Sequence, residues 1–332
     1  MSVSVVDFFS GCGGTSLGLQ QAGFHIALGI DHDAQAAATY QRNFPTARFI
    51  QQDITTLSVE SVSEAIPTGP LLFAGCAPCQ PFSRQNHHKH HSDRRVSLLS
   101  EFERFVLAIR PQYVVVENVP GLQKVGSDGP FPEFQAKLGV AGYSISAAVL
   151  RAGDFGVPQE RKRLVLVASL THRPHLPAPS RETQPTVRNV IGHLRPLIAG
   201  GQDPLDPDHR AMRLSQLNLD RIRMTGEGGS REEWPRELLA DCHLNHKGHV
   251  DTYGRMAWDR PASGLTTRCL SYSNGRFGHP DQDRAISARE AALLQTFPED
   301  FRFYGSLLSK GVQIGNAVPP SMARHIGLAL LQ

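Results

Sequence analysis

The chain has 332 residues, 40% of them hydrophobic and 20% charged, with a formal net charge of +3. That balance excludes a disordered or fibrous chain, and no apolar run approaches the ~20 residues that a bilayer span needs, so no membrane partner is expected. The length suits two domains of roughly 150 residues each. The five cysteines fit free thiols better than a disulfide framework. The start, MSVSVVDFF, lacks the basic, apolar and cleavable pattern of a secretory signal, so the expected location is the cytoplasm.

Apolar runs over residues 3–9, 24–31, 71–75, 112–119, 144–150 and 163–169 predict strands that are buried on both faces. Between them, TSLGLQQAG and SLLSEFERFVLAIRP carry apolar residues at helical spacing, with Gly23 and Pro111 as stops. The alternation is that of βαβ units, and it predicts a parallel sheet covered by helices on each side. After Ser169 the rhythm breaks in RPHLPAPSRETQP, where four prolines fall within 13 residues and mark a boundary. From there to about Phe303 the chain is loop-rich, which predicts a smaller second domain. The last segment, GVQIGNAVPPSMARHIGLALLQ, reads as a loop and an amphipathic helix returning to the first domain. The expected division is 1–173 with 307–332, and 174–306.

FFSGCGGTSLG, Phe8 to Gly18, follows the first strand and opens a helix. Its glycines Gly11, Gly13 and Gly14 let backbone amides approach a ligand. Ser16 breaks the G-x-G-x-x-G pattern, and no Gly-Lys of a phosphate loop follows. Asp31 and Asp53 close the next two extended segments, where a carboxylate suits ribose hydroxyls or an adenine amino group and repels phosphate. An adenosine without pyrophosphate is the ligand these features favour.

GCAPCQPFSRQNHHKHH, residues 75–91, follows the LLFAG strand. Cys76 and Cys79 could be a redox pair. His87, His88, His90 and His91 could complete a zinc site, although such a run in a polar loop is more often solvated; no metal is expected. Arg84, Lys89, Arg94 and Arg95 make the loop positive and imply an anionic partner. In an open α/β sheet, ligands bind beyond the carboxyl ends of the strands. The glycine loop, Asp31, Cys79 and Glu117 all fall at such ends, whereas bland turns and caps would fall at both edges.

These stretches, with Pro78-Cys79-Gln80, Phe82-Ser83, Glu117-Asn118-Val119, the segment QERKR from Gln159 to Arg163, Arg289-Glu290, Gln295 to Pro298 and Gln313 to Pro319, resemble the ordered motifs of DNA (cytosine-5)-methyltransferases. The resemblance covers nearly the whole chain. One departure is Ala77, where a second proline before Pro78 is commoner. The resemblance implies a Rossmann-like α/β sheet that binds S-adenosylmethionine and yields S-adenosylhomocysteine, with a target-recognition domain over residues 174–306. It implies transfer of a methyl group to carbon 5 of a flipped-out cytosine in a short duplex DNA sequence, through a covalent Cys79 adduct. Catalytic roles fall to Cys79, Glu117, Arg161 and Arg163. Cofactor binding falls to Phe9, Gly11, Gly13, Gly14, Asp31, Asp53 and Asn316, and DNA contacts to Gln80, Ser83, Arg84, Arg95, Thr266 and Thr267. A monomer is expected, with a cognate restriction endonuclease as a separate partner. Two alternatives stand beside it: a tRNA cytosine-5 methyltransferase, to which Cys269-Leu-Ser bears a poor likeness, and a catalytically silent DNA-binding homologue.

Overall fold

The computed structural model describes residues 2–77, 97–122, 129–180, 183–244 and 251–332. In chain order the elements are β1 (Ser4–Phe8), α1 (Gly14–Gln21), β2 (His25–Asp31), α2 (Ala34–Asn43), β3 (Arg48–Gln51), α3 (Val59–Ala65), β4 (Leu71–Gly75), α4 (Ser97–Ile109), β5 (Tyr113–Asn118), α5 (Pro130–Val140), β6 (Ser144–Arg151), β7 (Gln159–Glu160) and β8 (Lys162–Ser169). They continue with α6 (Val187–Ile191), α7 (Gln216–Arg223), α8 (Asp241–Leu244), β9 (Ala262–Ser263), α9 (Ala288–Leu294), α10 (Leu307–Asn316) and α11 (Pro320–Leu330). Two compact units form: 1–155 with 162–180 and 318–332, and 156–161 with 181–317. The final segment is therefore divided. Its first helix, α10, belongs to the second unit and α11 to the first.

The first unit is built on a seven-stranded sheet of order β3-β2-β1-β4-β5-β8-β6. Strands β1, β4 and β5 are buried throughout, as their unbroken apolar runs require; together with β2 and β3 they form the first five strands in chain order. These five strands pair in parallel. The all-parallel expectation fails at β8, which runs antiparallel to both β5 and β6. The reason is the link from β6: residues 152–161 are fewer than the dozen or so that a parallel crossover needs. The reversal brings the first residues of β8 to the carboxyl edge of the parallel strands, with Asn118 opposite Leu164 and Glu117 opposite Val165.

Helix α4 buries Leu99, Phe102, Phe105 and Val106, an i, i+3, i+6, i+7 stripe. This stripe joins Phe8, Phe73, Val114, Val116 and Phe134 in the main core. Helices α1 and α11 pack so closely that a Cβ added at Gly18 would lie 2.3 Å from Pro320 O and 2.5 Å from Ala323 Cβ.

The second unit has little regular structure. Its only sheet among the described residues is the parallel pair β7-β9. Buried guanidinium groups supply the order that strands would otherwise give. Arg255 donates to the carbonyls of Ile222, Thr225, His279 and Gln282. Arg284 grips Glu290 through two bonds of 2.7 Å. Burial pushes the Glu290 carboxyl up, but Arg284 outweighs it and holds the carboxyl below its usual range.

Gly18→Val is expected to lower the stability of the chain by about 1–3 kcal/mol through overpacking, read as a lower urea midpoint. An unchanged midpoint would show that α1 and α11 do not approach this closely.

Candidate active site

At the carboxyl edge of the first unit, β1 gives way to the glycine loop. Phe9 adopts φ +56°, a left-handed conformation that bulky residues rarely take. Its ring stays partly exposed while packing against the core. Gly11, at φ +52°, would have open space around a Cβ, whereas a Cβ on Gly13, at φ +98°, would meet Phe44 Cε2 at 2.3 Å. The loop is thus open toward the outside at Gly11 and tight against α2 at Gly13. Gly14 is the first residue of α1, and no side chain caps that helix start. Its leading amides suit a ligand's polar groups.

Asp31, the last residue of β2, accepts the Gly11 amide at 2.9 Å and the Asp33 amide at 2.9 Å. One carboxylate thereby fixes both the glycine loop and the entry to α2. Asp53, just past β3, is exposed and accepts the Thr55 amide and hydroxyl at 2.9 and 2.8 Å. Both acids sit beyond the ends of adjacent parallel strands, where Asp31 pairs with Gln51.

Glu117 lies near the end of β5 and is 7% exposed. The reversal of β8 sets Arg163 beside it, with Nε 2.8 Å from Glu117 Oε1. That contact is an ion pair without hydrogen-bond alignment, so Oε1 is buried and accepts no hydrogen bond among the described residues. A buried carboxylate oxygen in that condition is costly, and donors supplied by a ligand would relieve it. Asn118 donates to Ala77 O at 3.0 Å and accepts the Val119 amide at 2.8 Å. It ties the end of β5 to the last described residue before Pro78.

Cys76, one residue past β4, sits 3.5 Å from the Thr15 hydroxyl of α1. Burial, then the charges of Glu117 and Asp7, push its thiol well above the ordinary range. Cys76 stays a thiol at neutral pH, which weakens the redox-pair reading of the two cysteines. Thr15, Cys76 and Glu117 line a cavity of about 10 Å³ with Val115, Val318 and Ile326, about the room one water needs. Cys269 is also buried, its thiol pushed up to about 12 by burial.

Other expected site residues fall in the second unit. Arg161 is 4% exposed and donates to the carbonyls of Leu265, Gly315 and Ala317 at 2.8 to 3.3 Å. It anchors backbone there, in contrast to Arg163. Thr266 and Thr267 are half-buried, and α10 packs so tightly on them that a Cβ at Gly315 would lie 2.1 Å from Thr266 O. Asn316 ends α10 and is exposed. Cys79, Gln80, Ser83, Arg84 and Arg95 lie outside the described residues, as do the four histidines from His87 to His91. Sequence reasoning did not single out Thr15 or the tether from Asn118 to Ala77. The motif Glu-Asn-Val signals Asn118, but only the fold shows what it holds.

A largely parallel sheet with a glycine loop after β1 and acids beyond β2 and β3 defines a Rossmann-like methyltransferase fold. The model of the C-5 cytosine-specific DNA methylases matches residues 3–332. The chain is 41% identical to the Type II methylase M.HgiDII of Herpetosiphon aurantiacus, over 98% of this chain and 94% of that protein. It is 35% identical to the Type II methyltransferase M1.HphI of Haemophilus parahaemolyticus, over 100% and 87%. The solved structure of Entamoeba histolytica methyltransferase EhMeth superposes with a TM-score of 0.71 at 17% identity, covering 100% of this chain and 98% of that one. The chain belongs to the C-5 cytosine-specific DNA methylase family.

Asn118→Ala is expected to lower the rate of methyl transfer tenfold or more by loosening the chain at Ala77, with S-adenosylmethionine affinity unchanged. A parallel loss of affinity, measured by calorimetry, would mean that Asn118 serves the glycine loop instead.

Proposed function

We propose that the chain transfers a methyl group from S-adenosylmethionine to carbon 5 of a flipped-out cytosine in a short duplex DNA sequence, through a transient bond from Cys79 to carbon 6. The family supports the methyl donor and DNA as substrate. The observation that best supports the mechanism is Glu117, buried beside Arg163 with one oxygen that accepts no hydrogen bond among the described residues. A cytosine turned out of its stack can offer that oxygen a hydrogen-bond donor, its exocyclic amino group.

The described cofactor residues fit the donor. Gly11 leaves room for close approach, the uncapped start of α1 offers amides, Phe9 presents a partly exposed ring, and Asp31 and Asp53 stand where hydroxyl and amino groups need acceptors. Bound there, S-adenosylmethionine supplies an electrophilic methyl carbon. Gly13 and Gly14 shape the loop, and Asn316 is assigned to supporting the catalytic loop.

Carbon 5 of cytosine is too weak a nucleophile to react unaided. Addition of the Cys79 thiolate to carbon 6 pushes electrons toward carbon 5. Glu117 binds the Watson-Crick edge, and a proton shared between its carboxyl and nitrogen 3 balances the negative charge that builds as the ring gains electrons. Arg163 adds positive charge at the attacked edge. After transfer, loss of the carbon 5 proton returns the electron pair to the ring and expels the Cys79 sulfur. Arg161 acts at a distance, by anchoring the backbone at Leu265, Gly315 and Ala317.

We further assign target recognition to residues 174–306, with Thr266 and Thr267 contacting DNA. Gln80, Ser83, Arg84 and Arg95 belong to the positive segment after Cys79, suited to phosphates. A monomer in the cytoplasm, beside a separate cognate restriction endonuclease, completes the proposal.

An oligonucleotide carrying 5-fluorocytosine in the target sequence is expected to trap an adduct at Cys79, located by mass spectrometry, and Cys79→Ser to abolish it. Glu117→Gln is expected to slow methylation roughly 10²-fold or more. An adduct at another residue, or a full rate in the glutamine variant, would refute the assigned roles.

A further inference from the structure

Asp7 sits in β1 beneath the glycine loop, between Gly29 of β2 and Ala74 of β4 in the sheet register. It is fully buried. Its Oδ2 accepts from the Ser16 hydroxyl at 2.6 Å, and Ser16 Oγ lies 2.8 Å from the Tyr40 hydroxyl of α2. Among the described residues its Oδ1 accepts no hydrogen bond. The chain from Asp7 through Ser16 to Tyr40 therefore joins β1, α1 and α2 around the loop that the proposed cofactor occupies. The titratable groups facing it are Asp31 from the end of β2, Cys12 from the loop, Cys76 beyond β4 and Tyr40 from α2. None is a cation, and among the described residues no lysine, arginine or histidine pairs with Asp7.

An anion buried without a countercharge is costly unless a cation arrives beside it. The two ligands of this crevice differ in that respect: the methyl donor is a sulfonium cation, and its product is a neutral thioether at the same sulfur. We propose that Asp7 is a specificity-determining group of the cofactor crevice, whose charged form favours the sulfonium donor over the thioether product and whose protonation is coupled to donor binding. This rests on S-adenosylmethionine being the cofactor. Burial, which the Ser16 hydroxyl only partly offsets, lifts the Asp7 carboxyl from 3.8 to about 7, so the group changes charge across the neutral range. Burial raises the thiols of both Cys12 and Cys76, and the charge of Asp7 adds to it in each case, so the two cysteines beside the glycine loop feel that charge.

The sign follows from linkage. The donor binds the ionised form better, so its affinity rises as pH passes upward through about 7, and binding near that pH expels a fraction of a proton. Each unit by which donor binding lowers the Asp7 pKa is a tenfold change in affinity between the two limits. In the free protein the effect on stability is opposite. The folded state holds a proton that the unfolded chain releases above about 4, so this group lowers stability as pH rises from about 4 to 7.

The test is calorimetric titration of the full chain with S-adenosylmethionine and with S-adenosylhomocysteine, from pH 5.5 to 8.5, in buffers of differing ionisation enthalpy. Wild type is expected to show a donor-to-product affinity ratio that rises about fivefold to tenfold with pH, with proton release on donor binding. Asp7→Asn is expected to flatten that rise, and comparing the two proteins removes protons exchanged by the ligand's own amino group. Ser16→Ala, which deletes the hydrogen bond holding the carboxylate, is expected to move the midpoint upward and serves should Asp7→Asn fold poorly. The melting temperature of Asp7→Asn relative to wild type is expected to increase with pH. A ratio with the same pH profile in wild type and both variants would overturn the inference. Failure of wild type to bind the donor at any pH would instead overturn the cofactor reading, and this inference with it.

Discussion

The ion pair between Arg163 and Glu117 depends on a single topological event, the reversal of β8. A parallel β8 would carry Arg163 to the opposite edge of the sheet, and Glu117 would be a buried carboxylate with no cation. A buried charge left without a partner is costly. The short link after β6 therefore does more than close the sheet. It delivers the cation that lets an acid sit in a dry crevice with an oxygen left open for a ligand. The neighbouring tether from Asn118 to Ala77 uses the same strand end to fix the chain leading to Pro78.

The glycine loop answers to a different constraint. It packs against Tyr40 and Phe44 on one side and is open on the other, which explains why Gly13 tolerates no Cβ while Gly11 has open space. Asp31 holds the loop from outside through the Gly11 amide, and Asp7 with Ser16 holds it from beneath. In the second unit, order comes from guanidinium groups bonded to backbone carbonyls, as with Arg161 and Arg255. This arrangement satisfies a loop-rich backbone that has few strands to pair with.

Much of the first unit was legible because its strands are unbroken apolar runs and its carboxyl-edge groups follow them directly. Asp31, Glu117 and the glycine loop were found that way. Strand β3 left a weaker mark, an extended segment closed by Asp53 rather than an apolar run, because RFIQ is short and half-exposed. The direction of β8 was also hidden, since RLVLVAS reads the same apolar pattern in either sense. Only the length of the preceding link carries that information. Arg161 and Arg163 look equivalent in QERKR, yet one bonds carbonyls more than 100 residues away in the chain and the other faces Glu117. Contacts so distant leave no local trace. The same holds for α10 and α11, which a three-residue link separates into different units.

The claim that Arg163 and Glu117 act as one charged unit can be measured by a double-mutant cycle. Single-turnover methylation rates of wild type, Glu117→Gln, Arg163→Gln and the double variant would be compared on one DNA duplex. Strong non-additivity is expected, with the double variant little slower than the worse single one. Losses that simply multiply would contradict it, leaving two groups that happen to lie 2.8 Å apart.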